Sequence, residues 1–368
     1  MGVSAPWPAT PTRFASLSRT RAAGVAAATL VAMVWLLRGA TPAPARPDGA
    51  GARDVSQEND VAFYKAVVAR VRAGQGYYDA VGPELRARHY PLRPAFAWRQ
   101  PTYAWVLARL PSPAWGSAVL AVLGAAVVLL TMRWARASAF GRALPLASGL
   151  FIVTMAGSLV GDFVYLQEAW AGSLVALSLA FYANDRWPPA VAAGLAALAF
   201  REFALLPCGV ALLFALRARR WGEVRAWVVG LAVYAGLLTW HLLEVARHVL
   251  PSDLSRGWLA LGGSSFVLEM CRWNPLLLLL PKVVVACVLP FILLGLVGWR
   301  DSVGARLAII VFGYLAIFSV VGHSFNDYWG ATFAPLLTFG LIAAPASVRD
   351  LGRALSRDAP GPRPRGVS

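Results

Sequence analysis

The sequence predicts an all-α, polytopic membrane protein of about ten transmembrane helices. Three observations predict it. Of 368 residues, 58% are hydrophobic and 14% are charged, whereas a soluble domain carries roughly 25% charged residues. Apolar runs recur along most of the chain, at or near the roughly 20 residues that a membrane helix needs. The 15 tryptophans suit a protein with two water–lipid interfaces. The net charge of +16 would suggest nucleic acid in a soluble protein. Here the arginines sit mostly in short loops between apolar runs, so topology accounts for them and no nucleic-acid partner is expected.

The spans are read near Ala22–Leu37, Pro113–Met132, Leu144–Val160, Ala169–Ala183, Pro188–Phe200, Phe203–Leu216, Ala226–Glu244, Pro275–Trp299, Gly304–Gly322 and Gly330–Ala346. The first could be a signal peptide, because Ala43-Pro44-Ala45 offers an A-x-A site; an uncleaved anchor is preferred, since the run stands directly before a membrane domain. Pro188–Leu216 could be one long helix with Arg201-Glu202 inside it. Arg-rich flanks favour two short helices with Arg201 and Glu202 at the turn, the second arm interrupted by Pro207 and Gly209. Cys208, Cys271 and Cys287 are scattered and read as packing residues, with neither a disulfide framework nor a zinc site.

Orientation follows from arginine. With Arg13, Arg19 and Arg21 in the cytoplasm, Arg133, Arg136, Arg142, Arg186, Arg217, Arg219, Arg220, Arg225, Arg300 and Arg306 also fall inside, as does the tail with Arg349 to Arg365. The loops around Asp162 and Asp327 fall outside without Lys or Arg. The long loop 38–112 is basic but long enough to be exempt. The loop Val245 to Asn274, with Arg247, Arg256 and Arg272, is an exception. High Arg, Ala and Gly content suits a GC-rich bacterial genome, so the expected location is a bacterial inner membrane with both termini cytoplasmic. The expected parts are an N-terminus of residues 1–21, a transmembrane domain 22–346 and a disordered cytoplasmic tail 347–368, ending in P-G-P-R-P-R-G.

The outer segments carry the candidate chemistry. After a Pro/Ala/Gly linker, Thr41 to Ala52, comes Ser56-Gln57-Glu58-Asn59-Asp60. The apolar series Val61, Tyr64, Val67, Val68 and Val71 follows at helical spacing, as in a helix lying in the membrane interface. Asp60 either caps this helix with Ser56 and Asn59 or serves as a general base. Asp162 and Glu168, in G-D-F-V-Y-L-Q-E-A-W, are either solvated loop acids or functional groups at a membrane edge. Arg201-Glu202 is either a structural salt bridge with Asp162 or Glu168, or a phosphate grip supplied by Arg201. His323, Asn326 and Asp327, in V-G-H-S-F-N-D-Y-W-G, form a polar loop with an aromatic belt, or bind a phosphate or sugar hydroxyls, with Tyr328 and Trp329 offering flat faces to a sugar ring. Acids near span edges (Asp162, Glu168, Glu202, Glu244, Asp327) gather on the outer side, which the positive-inside rule does not produce. A polar cavity open to the outside would produce it; so would chance.

The segment N-D-V-A-F-Y-K-A-V-V-A-R-V-R-A-G-Q-G-Y-Y-D, Asn59 to Asp79, resembles the first periplasmic loop of GT-C-type membrane glycosyltransferases, among them protein O-mannosyltransferases and the aminoarabinose transferases of lipid A. Asp60, Tyr64 and Gly76-Tyr77-Tyr78 carry the match. Y-P-L-R-P-A-F-A-W-R-Q-P-T, from Tyr90, looks like a bacterial subgroup linked to cell-surface glycopolymer formation. Val61 stands where the family commonly has the Glu of an Asp-Glu pair. The resemblance implies a GT-C-like fold and inverting transfer of a sugar from a polyprenyl-phosphate donor to a glycan, lipid or protein acceptor outside the cytoplasm. It implies Asp60 as base, with Tyr64, Asp162, Glu168, Arg201, Glu202, His323 and Asp327 as substrate-binding candidates. No cofactor is expected, and no metal ligand set stands out. There is neither a Gly-rich nucleotide fingerprint nor a D-x-D pair, which disfavours a cytoplasmic nucleotide-sugar enzyme. The alternatives are a transporter or flippase for a lipid-linked glycan, for which Lys282 is the clearest charge within a span, and a non-catalytic partner in envelope polysaccharide assembly.

Overall fold

A computed structural model describes residues 12–41, 52–137, 144–157 and 161–357. Among them there are helices, two isolated β-bridges and no strand. The A-x-A site, most of the linker after the first span and the last residues of the tail lie outside the described residues; the helix expected to be capped at Asp60 already runs from Ala52, so Asp60 stands inside it and does not cap it.

α1 (Arg19–Ala40) starts at Ser18, whose hydroxyl accepts the N–H of Arg21. α2 (Ala52–Arg72) buries Phe63, Tyr64, Val67 and Val68 against α3 (Tyr77–Ala87) and α4 (Thr102–Arg109). Its apolar stripe is thus covered by protein rather than left for the lipid interface. α4 supplies the buried partners Tyr103, Ala104 and Leu107. Arg72 fastens the two helices by donating to the carbonyls of Leu107 and Leu110 at 2.9 and 3.1 Å, groups that a helix C-terminus leaves unpaired.

Every later span read from hydropathy has a helix on it: α5 (Pro113–Ala137), α6 (Leu144–Ala156), α7 (Gln167–Ala183), α8 (Trp187–Phe200), α9 (Leu205–Arg217), α10 (Trp221–His248), then α11 (Gly263–Arg272) and α12 (Pro275–Leu278) before α13 (Lys282–Gly298), α14 (Ser302–Val320) and α15 (Leu337–Leu355). Of the described helices, α1, α5, α10 and α14 are each long and apolar enough to cross a membrane. Phe325–Thr332 with Ala334–Leu355, bent by 52°, would make a fifth, and α8 and α13 are shorter apolar helices. Several apolar helices of this kind suit a membrane protein.

α7 is the central helix, buried along its length except at Phe181 and Ala183. Its small side chains let neighbours approach; a Cβ on Gly172 would stand 2.2 Å from the Ala331 carbonyl oxygen. α13 and α15 cross in the same way, a Cβ on Gly295 falling 2.1 Å from the Gly340 carbonyl oxygen. Close backbone approach through small residues is how helices associate where lipid removes the hydrophobic drive.

The loops alternate between two ends. At one end the Thr12 N–H donates to Asp350 at 2.7 Å, Arg300 donates to the Thr12 carbonyl, and Trp134 meets Trp299. These are segments expected in the cytoplasm. At the other end Lys65 meets Asp162, Arg99 meets Tyr328 and Arg201 meets Glu168, all from segments expected outside. α8 and α9 form the expected hairpin, Cys208 lying on Gly194 with Arg201 and Glu202 at the turn. Pro207 falls in the first turn of α9, where a missing N–H is harmless, so the arm is unbroken. Lys282 opens α13 and ion-pairs with Glu269, so it is a helix-end charge and not one at mid-span. α15 runs to Leu355, beyond the expected start of the disordered tail, because Leu351 and Ala354 pack with Phe14 and Leu294.

Candidate active site

Asp60 stands one helical turn before Tyr64 on α2, so both side chains share a face. The buried Tyr64 ring, edge-on to Tyr103 at 5.4 Å, fixes that face. The chain then brings Tyr90 back to it. His89, in the left-handed region at φ 56°, ends α3 in a Schellman turn, with Tyr90 N–H bonded to Leu85 O and His89 N–H to Arg86 O. The Tyr90 hydroxyl donates to Asp60 Oδ1 at 2.5 Å.

Two distant loops are tied to the same place. Leu92 and Arg93 donate to the Leu254 carbonyl, and Arg256 N–H returns to Arg93 O. Arg86 grips Asp253 through two bonds, at 2.7 and 2.8 Å. Gly322 N–H then bonds Trp258 O, which sets His323 beside Trp258. The Asn326 amide oxygen accepts His323 N–H at 3.0 Å and holds the turn.

These segments enclose a cavity of about 390 Å³, lined by Asp60, Tyr64, Tyr90, Arg99, Trp258 and His323 among others. Arg99 is 8% exposed. It donates to the hydroxyls of Tyr64 and Tyr328, each at 3.3 Å, and to the Phe96 carbonyl. No carboxylate lies within ion-pair distance of it among the described residues. Those three bonds leave one N–H on each terminal nitrogen without a partner among the described residues. Two such donors fit a phosphate or carboxylate.

Burial pushes the Asp60 carboxyl above the usual Asp value, against the opposing pull of the Tyr90 hydrogen bond and the Arg99 charge. A carboxylate with strengthened proton affinity beside an arginine can accept a proton and shed it again. The His323 Nε2 lies 2.9 Å from Gly257 O, so a neutral ring donates there and keeps Nδ1 as an acceptor.

The cavity therefore unites Asp60, Tyr64, His323, Asn326 and Tyr328 of the residues picked from sequence, and leaves out Asp162, Glu168, Arg201, Glu202, Asp327 and Trp329. Arg201, 1% exposed, is ion-paired with Glu168 at 2.7 Å through Nε and with Glu202 at 2.6 Å through Nη1, stacks on Phe203, and keeps a buried Nη2 without a partner among the described residues. It takes the salt-bridge alternative with Glu168, not the phosphate grip. This triad lies behind the cavity and joins it through Gln100, the neighbour of Arg99, which bonds Glu202 and Tyr234. Asp162 pairs with Lys65 at 2.8 Å, both about half exposed, away from the cavity. Asp327 is half-buried and does not line it, although its neighbours Asn326 and Tyr328 do.

Arg99, Tyr90, Arg256 and Trp258 line the cavity and were not singled out from sequence. The signal was present for two of them. Arg99 sits in the Pro/Arg/aromatic run from Tyr90, and Arg256 is one of three basic residues that break the positive-inside pattern. Arg247 and Arg272, the other two, pair with Glu244 and Glu269. Among the described residues no group of three or more His, Cys, Asp or Glu side chains could hold a metal ion.

A second, apolar groove of about 530 Å³ runs between α9 and α14, from Glu202 past Leu206 and Val210 to Leu213. The rings of Phe203, Trp329 and Trp258 form a continuous contact chain from it to the cavity. Comparison with family models, curated proteins and solved structures yields no match to the chain.

Proposed function

We propose that this protein is a GT-C-type glycosyltransferase of a bacterial inner membrane, with about ten spans, both termini cytoplasmic and its cavity on the outer side. It moves a sugar from a polyprenyl-phosphate donor to an extracytoplasmic glycan, lipid or protein acceptor in cell-surface glycan assembly. One observation carries the reading: the Asp60 carboxylate, its proton affinity raised, faces the same cavity as Arg99, a buried guanidinium with neutral partners and donors to spare.

In this reading Arg99 holds the donor phosphate. Asp60 takes the proton of the acceptor hydroxyl as its oxygen attacks the anomeric carbon from the opposite face. The bond from that carbon to the phosphate oxygen breaks, the polyprenyl phosphate leaves with the bonding electrons, and the configuration inverts. Asp60 then returns its proton to water. His323, Tyr64 and the Trp258 face hold the sugar. The apolar groove below Glu202 suits a polyprenyl tail. The resemblance of Asn59 to Asp79 points to the same chemistry.

The test is transfer itself. Purified full-length protein in lipid nanodiscs is given labelled polyprenyl-phosphate sugars and envelope acceptors. Label should reach an acceptor with the native protein and not with Asp60→Asn of normal yield and melting behaviour. Equal transfer by both proteins would remove Asp60 from the reaction.

A further inference from the structure

The cavity wall carries more positive charge than one phosphodiester requires. Arg99 faces it from deep in the wall. Arg256, exposed and also lining, has its guanidinium 5.4 Å from the Phe325 ring and no carboxylate within ion-pair distance among the described residues. Arg88 lines the cavity as well. Glu84 holds it at 3.2 Å, but the same carboxylate accepts Arg70 at 2.8 Å, so one acid serves two arginines. Asp60 is the one carboxylate among the described lining residues.

The two guanidinium groups without a carboxylate at ion-pair distance among the described residues differ in setting. Arg99 is fixed by three hydrogen bonds. Arg256 rests on an aromatic ring at the mouth, where arginine stacks and still presents its donors. Trp258, two residues on, lines the cavity as well, with its ring 6.0 Å from the Arg99 guanidinium carbon. An oxygen-rich anion satisfies the donors of either guanidinium.

We propose that the cavity takes a ligand set with two separate anionic groups, a phosphate at Arg99 and a second phosphate or carboxylate at Arg256. The proposal rests on the reading of this cavity as the substrate site. The second anion has two sources: an acidic donor sugar, or an acceptor that is itself phosphorylated.

The experiment measures binding and transfer separately, on full-length protein in nanodiscs of zwitterionic lipid. One arm compares a polyprenyl-phosphate hexose with the matching polyprenyl-phosphate hexuronate. The other compares a neutral disaccharide acceptor with its phosphorylated form, in the presence of the hexose donor. In at least one arm the extra anion should tighten binding by about tenfold. Arg256→Gln should abolish that gain, and Arg256→Lys should restore part of it. The arm that shows the gain identifies the source. Arg99→Lys should weaken both members of each pair alike. If neither arm shows a gain, or if Arg256→Gln weakens both members equally, the second anion site is wrong, whether or not transfer occurs. If the Arg256-dependent gain appears and no sugar moves, the site stands and the transferase reading fails.

Discussion

Removing the Tyr90 hydroxyl tests the chemistry of Asp60 most directly. In Tyr90→Phe the ring keeps its edge contact with Phe63, 5.7 Å away, while Asp60 Oδ1 loses a donor held at 2.5 Å. A hydrogen bond to a charged group contributes about 1.5–3 kcal/mol. One pKa unit corresponds to about 1.4 kcal/mol. Loss of that donor should raise the Asp60 pKa further. The sign is fixed by the balance already present: burial raises this carboxyl, Tyr90 and Arg99 lower it, and removal of one opposing donor leaves burial stronger. A base must be ionised to work, so the acid limb of kcat/KM should move to higher pH, with the plateau nearly kept. Stability follows by linkage. The folded state binds the Asp60 proton more tightly than the unfolded chain, so stability falls as pH rises from the unfolded Asp value through the folded one. The variant should extend that fall upward. The assays are transfer of labelled sugar across a pH series, and thermal unfolding across the same series as a readout independent of activity. An acid limb that stays in place or moves down would refute the assignment of Asp60 as the titrating base.

Further outcomes follow from the same geometry. Asp60→Asn should lower transfer by about 10²–10⁴-fold, the contribution of a positioned general base, with thermal unfolding close to that of the native protein. Arg201→Gln should destabilise by about 3–5 kcal/mol, because it leaves the buried Glu168 without a counter-charge and takes one from the half-buried Glu202; chemical or thermal unfolding in detergent reads this. Asp162→Asn, which breaks a pair with Lys65 that water screens, should shift the same measurement by about 0–1 kcal/mol. Gly340→Leu should cost about 1–3 kcal/mol or more, since its Cβ would stand 2.4 Å from the Ile292 carbonyl oxygen, and backbone cannot move aside as a side chain can; loss of yield and of melting temperature reports it.

The sequence by itself determined the helices, because hydropathy is carried residue by residue and adds along a run. Each span read from it received a helix, and the arginines sorted the loops into two groups that meet at opposite ends. It also determined the buried stripe of α2, since a period near 3.6 in apolar residues means one covered face, and Asp60 and Tyr64 as neighbours on it. Only the tertiary structure decided which arginine has no directly paired carboxylate among the described residues. Arg99 and Arg201 each stand near aromatics between apolar runs, and although Arg201 has Glu202 beside it in sequence, nothing local shows that Glu168 also comes to it. Arg201 is neutralised by a carboxylate on α7, far back in the chain. Arg99 is met by phenols from α2 and from the segment after α14. A hydrogen-bond partner is a property of position in space, so the contrast between an arginine paired with carboxylates and one held by phenols appears only once the chain has closed on itself. The same holds for Tyr90, delivered to Asp60 by one left-handed residue, and for Arg256, joined to the cavity by backbone bonds to Arg93.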